Sequence, residues 1–220
     1  MLHLIDATNR DTPKNQRLLE NTYRVRHEEY VKGRGWKALD RADGREFDQF
    51  DNADASYLVW EDKMEVVGGA RLIPTHKPHL MSDVFPHIVT LGELPRTPRV
   101  WELTRLFSTR GGTSQVNRRH VTGDVFAAMF ELGLAYELDA ISIVCDTFFV
   151  TRFLGMGMEV TPLGLPTPYP EGVCVAVRLP VNLKQLRIAR GPNRGNVLFD
   201  VDRQAAPLYA DSGARSAYVS

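Results

Sequence analysis

Apolar positions along this chain change period several times, and each change marks an element. Leu2–Ile5 reads as a first strand, and from Pro13 to Val31 the spacing turns helical, with Leu18, Leu19, Tyr23 and Tyr30 near one face. Two runs, SYLVW and EVVGGARLIP, flank the turn-like Glu61–Asp62–Lys63 and predict a hairpin. The pair Gly68-Gly69 inside the second run predicts a bulge or a close backbone approach. A proline-rich connection covers residues 74–98, and RVWELTRLF, residues 99–107, predicts a further strand. Val121–Leu138 is a strong amphipathic pattern, with Val125, Met129, Leu132 and Tyr136 on its inner stripe. After it, AISIVCD reads as a fully buried strand, TFFVTRFLGMG as a short helix closed by glycine, and VCVAVRLPV as a final strand. From about residue 188 periodicity fades, so one domain over residues 1–187 and a loosely packed tail over 188–220 are expected. Hairpins first, then strand–helix–strand, predict an α/β protein: a three-layer α/β/α sandwich around one mixed sheet.

The strand at residues 99–107 breaks its own pattern. Val100, Leu103 and Phe107 supply apolar bulk, yet Glu102 and Arg105 sit among them. Side chains alternate faces along a strand, so residues 102 and 105 point to opposite sides unless a bulge intervenes. A charge there is costly unless it is paired or turned toward a cavity. Three other places set charge beside aromatic or apolar residues: Arg26 with Tyr30, Trp36 with Asp48 and Asp51, and Arg71 in its strand. Each could be an ordinary salt bridge or a solvated loop. Together they read as the wall of a polar pocket whose ligand carries both signs of charge.

Composition narrows the classes. Lys plus Arg equals Asp plus Glu at 27 each in 220 residues, which argues against a nucleic-acid partner. A hydrophobic share of 43% is ample for a sizeable core. No apolar run approaches the roughly 18 residues of a membrane span. The N-terminus lacks a basic segment followed by an apolar one, so neither a signal peptide nor a membrane partner is expected, and a cytoplasmic location is. Cys145 and Cys174 lack metal-ligand spacing and read as reduced core thiols. There is no phosphate-binding glycine loop and no Ser–His–Asp order, and His27, His76, His79, His87 and His120 read as solvated histidines.

The order of the charged and aromatic pieces resembles the acyl-homoserine lactone synthases, the autoinducer synthases of bacterial quorum sensing. The match runs through Arg26, Tyr30, Gly35 and Trp36, then Glu46, Asp48, Phe50 and Asp51, then Arg71, then Phe85 and Pro86, then Trp101, Glu102, Thr104, Arg105 and Phe107. It covers about residues 1–165. Two positions depart mildly, Tyr30 where phenylalanine is usual and Thr104 where serine is common. The resemblance implies a fold similar to N-acetyltransferases. It also implies an acyltransferase that takes S-adenosylmethionine as a substrate, with no cofactor, and an acyl thioester on acyl carrier protein or coenzyme A. The methionine amine is acylated, and its carboxylate then closes the lactone and expels methylthioadenosine.

On that reading Asp48 and Asp51 meet the ammonium and sulfonium ends. Trp36 and Tyr30 lie against the adenine or the sulfonium. Arg26, Arg71 or Arg105 grips the carboxylate, and Phe85, Trp101 and Thr104 complete the S-adenosylmethionine site. Glu102 is the expected general base. The acyl chain is expected against Ser142, Ile143, Val144, Phe148, Phe149, Phe153 and Met156, with Ile143 or, after a one-residue slip, Ser142 facing the third acyl carbon. Arg110, Arg118, Arg119 and Arg152 are candidates for the surface that meets the donor's carrier. Two other readings stay open, an N-acetyltransferase-like enzyme acting on another amine and a non-catalytic S-adenosylmethionine-binding module.

Overall fold

The computed structural model describes residues 1–109, 117–170, 172–192 and 195–199. One eight-stranded mixed sheet organises them, in the order β1-β2-β3-β4-β5-β8-β6, with β7 also pairing β8. The strands are β1 (Leu2–Ile5), β2 (Ser56–Asp62), β3 (Glu65–Pro74), β4 (Val100–Ser108), β5 (Ala140–Asp146), β6 (Thr161–Pro162), β7 (Thr167–Tyr169) and β8 (Gly172–Pro180). Every pairing is antiparallel except β4 with β5, which helix α3 (Arg118–Ala135) joins by a crossover. The β2–β3 turn falls one residue later than the sequence pattern suggested. Lys63 and Met64 both take positive φ, 47° and 70°, which is the twist a two-residue hairpin needs.

Helices cover both faces, as a sandwich requires. On one face α1 (Pro13–Arg26) passes directly into a π-helical turn over His27–Lys32 and packs Leu18, Leu19 and Tyr30 against Tyr57, Val59 and Ile73. Pro13 sits in the first turn, where its missing N–H costs nothing, and the Thr12 hydroxyl accepts from the Asn15 N–H. The short α2 (Leu80–Asp83) covers the same face further along, inside the connection that looked irregular in the sequence. On the opposite face α3, α4 (Thr147–Gly155) and α5 (Leu183–Arg190) enclose the larger core, built on Leu103, Ile141, Ile143, Phe126, Phe130 and Phe153. Gly68 lets β3 approach α3, because a Cβ there would collide with Val121.

The chain stays packed beyond residue 187, against expectation. Glu131, fully buried in α3, takes the Arg190 guanidinium at 2.9 Å and the amides of Val197, Leu198 and Phe199. A buried carboxylate can remain only with such donors, and here they anchor the chain as far as Phe199. The rest of the expected tail lies outside the described residues.

Two irregularities of the sheet set up the site. Between the pairs Gly69–Phe107 and Arg71–Thr104, β4 carries two residues, Arg105 and Leu106, where β3 carries one. Arg105 absorbs this bulge at φ 53°, a left-handed conformation that costs a non-glycine residue about 1–2 kcal/mol. The parallel β4–β5 ladder also ends early: Val100–Leu103 pair with Ala140–Ile143, and beyond that point the strands part.

Candidate active site

A cavity of about 430 Å³ occupies the wedge where β4 and β5 separate. Thr104, Arg105 and Leu106 line it from one strand, and Val144, Cys145 and Asp146 from the other. Its size suits a small-molecule site. Because the wedge opens through the sheet, the cavity reaches both layers. On the α1 side its wall is Tyr30, Arg34, Trp36 and Asp48; on the α3 side it is Leu103, Phe126, Ile143, Phe149 and Phe153. One part is aromatic and charged, the other apolar.

The charged part is a closed network. Arg26 reaches Glu46 at 2.6 Å and holds Asp51 with both terminal nitrogens, at 2.8 and 2.9 Å. Arg71 meets Asp48 at 2.6 Å and Asp51 at 2.8 Å, and its Nε donates to the Thr104 hydroxyl. The bulge turns Arg105 onto the same face, where it reaches Glu46 at 3.0 Å and Asp48 at 2.8 Å. Three guanidinium groups thus neutralise three carboxylates, and Tyr57 adds a hydrogen bond to Asp51. Burial pushes the Asp51 carboxyl up, but Arg26 and then Arg71 overrule it and hold it well below the usual range; against burial, Arg26 and Arg105 lower Glu46 as well.

Glu102 differs in kind. It is fully buried, and no ion pair reaches it among the described residues: its oxygens accept the Leu80 N–H at 2.9 Å and the Met81 N–H at 2.8 Å. Burial pushes its carboxyl up to about 7, against those two amides and the more distant Arg71 and Arg105. Glu102 and Arg105 do not pair with each other; Arg105 pairs with Glu46 and Asp48 instead.

The expected site residues separate into three groups. Tyr30, Trp36, Asp48, Phe85, Thr104, Arg105, Ile143, Val144, Phe149 and Phe153 line the cavity. Tyr30 and Trp36 stack on each other at 4.9 Å and 12°, and the Tyr30 hydroxyl, pushed up to about 12 by burial, donates to the Leu106 carbonyl. That bond occupies the extra hydroxyl of Tyr30.

Arg26, Asp51, Arg71, Glu102 and Ser142 lie behind the wall. For Arg26 and Arg71 the reason is pairing: their donors already face carboxylates. Asp51 is 1% exposed and tied to two arginines, so it is not the solvated loop acid that its sequence context allowed. Ser142 sits beside Glu102 in the parallel register, its buried hydroxyl without a partner, while Ile143 faces the cavity. Of the two, Ile143 lines the cavity and Ser142 does not.

The third group lies elsewhere. Trp101 faces α3, edge-on to Tyr136 at 5.6 Å, with its ring N–H on the Pro98 carbonyl, because strand alternation sends it away from Glu102. Phe148 is 62% and Met156 42% exposed, on the outer side of α4 and its end, and neither lines the cavity. Arg119 and Arg152 are exposed, and Arg110 and the Arg118 side chain lie outside the described residues. Residues the sequence reading did not assign include Glu46, which bridges two arginines, and Arg34, whose guanidinium lies 5.3 Å above the Tyr30 ring at the cavity wall. Glu46 stood in the matched motif without a role; nothing marked Arg34. His27 and His79 are buried, not solvated.

Known proteins resemble this chain in sequence and in fold. The autoinducer synthase family matches residues 10–188. The isovaleryl-homoserine lactone synthase of Bradyrhizobium diazoefficiens is 36% identical over 190 residues, 86% of this chain and 83% of that protein. The solved structure of a CoA-dependent acyl-homoserine lactone synthase, BjaI, with SAM and isopentyl-CoA, is 35% identical over 86% of this chain and 87% of that one, with a TM-score of 0.78. A putative N-acetyltransferase from Lactobacillus plantarum, 17% identical, covers 82% of this chain and 99% of its own at a TM-score of 0.52, and shares the fold. The chain belongs to the autoinducer synthase family.

Proposed function

We propose that this acyl-homoserine lactone synthase takes a short, branched, unsubstituted acyl group from coenzyme A, and that the β4–β5 wedge is where the group meets S-adenosylmethionine. The observation that carries the reading is the division of the cavity. Its charged, aromatic part, with Asp48, Tyr30 and Trp36, suits a ligand bearing a sulfonium, an ammonium and a purine. Its apolar part, closed by the edge-to-face pair Phe126–Phe153 at 5.5 Å, suits a short chain. Leu103 and Ile143 lie between the two parts and offer no side-chain donor to a 3-oxo group, which would be buried unpaired at about 1–3 kcal/mol. The coenzyme A donor and branched chain are supported by the relatives, one named for isovaleryl transfer and one solved with isopentyl-CoA.

The family's reaction sets what this site must do. The amine of S-adenosylmethionine loses a proton and attacks the thioester carbonyl, and the thiolate leaves. The carboxylate then attacks the γ-carbon, the carbon–sulfur bond breaks, and methylthioadenosine departs with the bond's electron pair on neutral sulfur. Glu102 is the base. Its carboxyl lies one layer behind the wall, beside cavity-lining Leu80 and Thr104, so the proton reaches it through a solvent molecule admitted to the cavity. Backbone N–H groups where the strands part are the source of oxyanion donors.

The test is a set of donors with purified protein: isovaleryl-coenzyme A, isovaleryl-acyl carrier protein, and the matched pair 4-methylpentanoyl-coenzyme A and 4-methyl-3-oxopentanoyl-coenzyme A, each with S-adenosylmethionine. Lactone and methylthioadenosine in equal amounts, with kcat/KM highest for isovaleryl-coenzyme A, are the expected result. A preference for the carrier-protein donor or the 3-oxo chain would overturn the donor assignment.

A further inference from the structure

The Glu102 carboxylate is held by one turn of backbone, so whatever fixes that turn fixes the carboxylate. Helix α2 has only four residues, too few for intrinsic stability. Its first two, Leu80 and Met81, supply both amides that reach Glu102. His79 stands immediately before them in extended backbone, φ −147° and ψ 166°, with no exposed surface. Its Nδ1 lies 2.8 Å from the Lys77 carbonyl, and since a carbonyl only accepts, the proton is on Nδ1. Nε2 is then bare, buried and without a partner. Ser82 closes the turn from the other side, its hydroxyl accepting from the His79 N–H at 3.2 Å and lying 2.9 Å from the His79 carbonyl.

An imidazole here carries a cost that a phenyl ring would not, one desolvated nitrogen with nothing to bind. What it offers in return is the tether to Lys77, two residues back. We propose that His79 is the positioning residue for Glu102: its ring, pinned to the Lys77 carbonyl, aims the Leu80 and Met81 amides at the carboxylate. The inference rests on the reading of Glu102 as the base only for its effect on turnover. The geometric part stands without it.

Burial lowers the proton affinity of the His79 ring, with Arg96 acting the same way, against the hydrogen bond to Lys77 and the nearby Asp83. Glu102 is faced by Arg71 from β3, Arg105 from its own strand, the two α2 amides and the Ser142 position of β5. Of these, the amides alone depend on His79.

The experiment uses the full chain with His79→Phe, which keeps the ring volume and removes the tether, and His79→Asn, which returns an N–H near the Nδ1 position. The amide shifts of Leu80 and Met81 are followed against pH in nitrogen-15-labelled protein, together with the pH profile of kcat/KM. In His79→Phe the inflection of both amides and the acid limb of the profile should move up by about half a pH unit or more, because the ionised carboxylate has lost its donors. kcat should fall roughly tenfold, with KM for S-adenosylmethionine within about twofold. His79→Asn should restore most of each. An unchanged inflection and limb in His79→Phe, with only a lower melting temperature, would overturn the proposal. A moved amide inflection beside full turnover in Glu102→Gln would uphold His79 and overturn Glu102 as the base.

Discussion

Two sets of buried carboxylates lie on one face of the same sheet, and their partners make them opposites. Glu46, Asp48 and Asp51 each meet guanidinium groups at 2.6–3.0 Å. Glu102 meets two backbone amides and no cation at contact distance. Desolvation penalises the charged form in both places. Where arginine answers it, at Glu46 and Asp51, the carboxyl is held below its ordinary value. Where only amide dipoles do, the carboxyl is left poised near 7. The first set is structure that shapes a pocket wall, and the second can exchange a proton. A charged residue inside a strand therefore carries chemical meaning only once its partners are known.

Breaking the locked set should have the largest effect. Asp51→Asn leaves Arg26 and Arg71 buried with too few acceptors, and a stability loss of about 3–5 kcal/mol is expected in denaturant unfolding. Little change would mean that the network relaxes freely.

The poised carboxylate should have the opposite dependence on pH. Its folded pKa, about 7, lies above the ordinary 4.5, so the native state holds the proton more tightly than the unfolded chain. Wild-type stability relative to Glu102→Gln should be greatest below pH 4.5, decline as pH rises through 7, and level off having lost about 3 kcal/mol. Parallel stability curves for the two proteins would show that Glu102 titrates normally. Glu102→Gln should also lower turnover roughly 10²-fold or more while S-adenosylmethionine affinity stays within several-fold. Calorimetry and initial rates on the same preparation check both halves.

The remaining expectations are smaller. Phe126→Ala opens the end of the apolar part of the cavity and should shift chain-length preference toward longer acyl groups by about tenfold, measured as a ratio of kcat/KM values. Charge reversal at Arg119 should raise the donor's apparent KM a few-fold, and only at low ionic strength.

Much of the fold was legible because buried strands leave unbroken apolar runs: AISIVCD became β5 and VCVAVRLPV all but the first residue of β8. Helix α5 was missed because its inward positions, Leu186 and Ala189, are too few to show a period. In the site, the anomaly of Glu102 and Arg105 led to the strand that borders the cavity, yet the sequence could not say that a bulge brings Arg105 round, since an arginine in left-handed backbone has no sequence signal. The same holds for partners. Asp51 in a loop rich in Gly and Asp looks solvated until the fold lays Arg26 and Arg71 across it. Trp101 and Phe148 were assigned by their neighbours in the chain; strand alternation turns Trp101 to the other face, and Phe148 lies on the outer side of α4.

The distinction between locked and poised carboxylates is tested most directly by titrating Glu102 itself. In protein labelled with carbon-13 at the glutamate carboxyl, the Glu102 resonance can be assigned as the one absent from Glu102→Gln and followed from pH 3 to pH 9. An inflection near 7 is expected, with that of Glu46 below its ordinary value. A Glu102 inflection at the ordinary value of 4.5 would contradict the account.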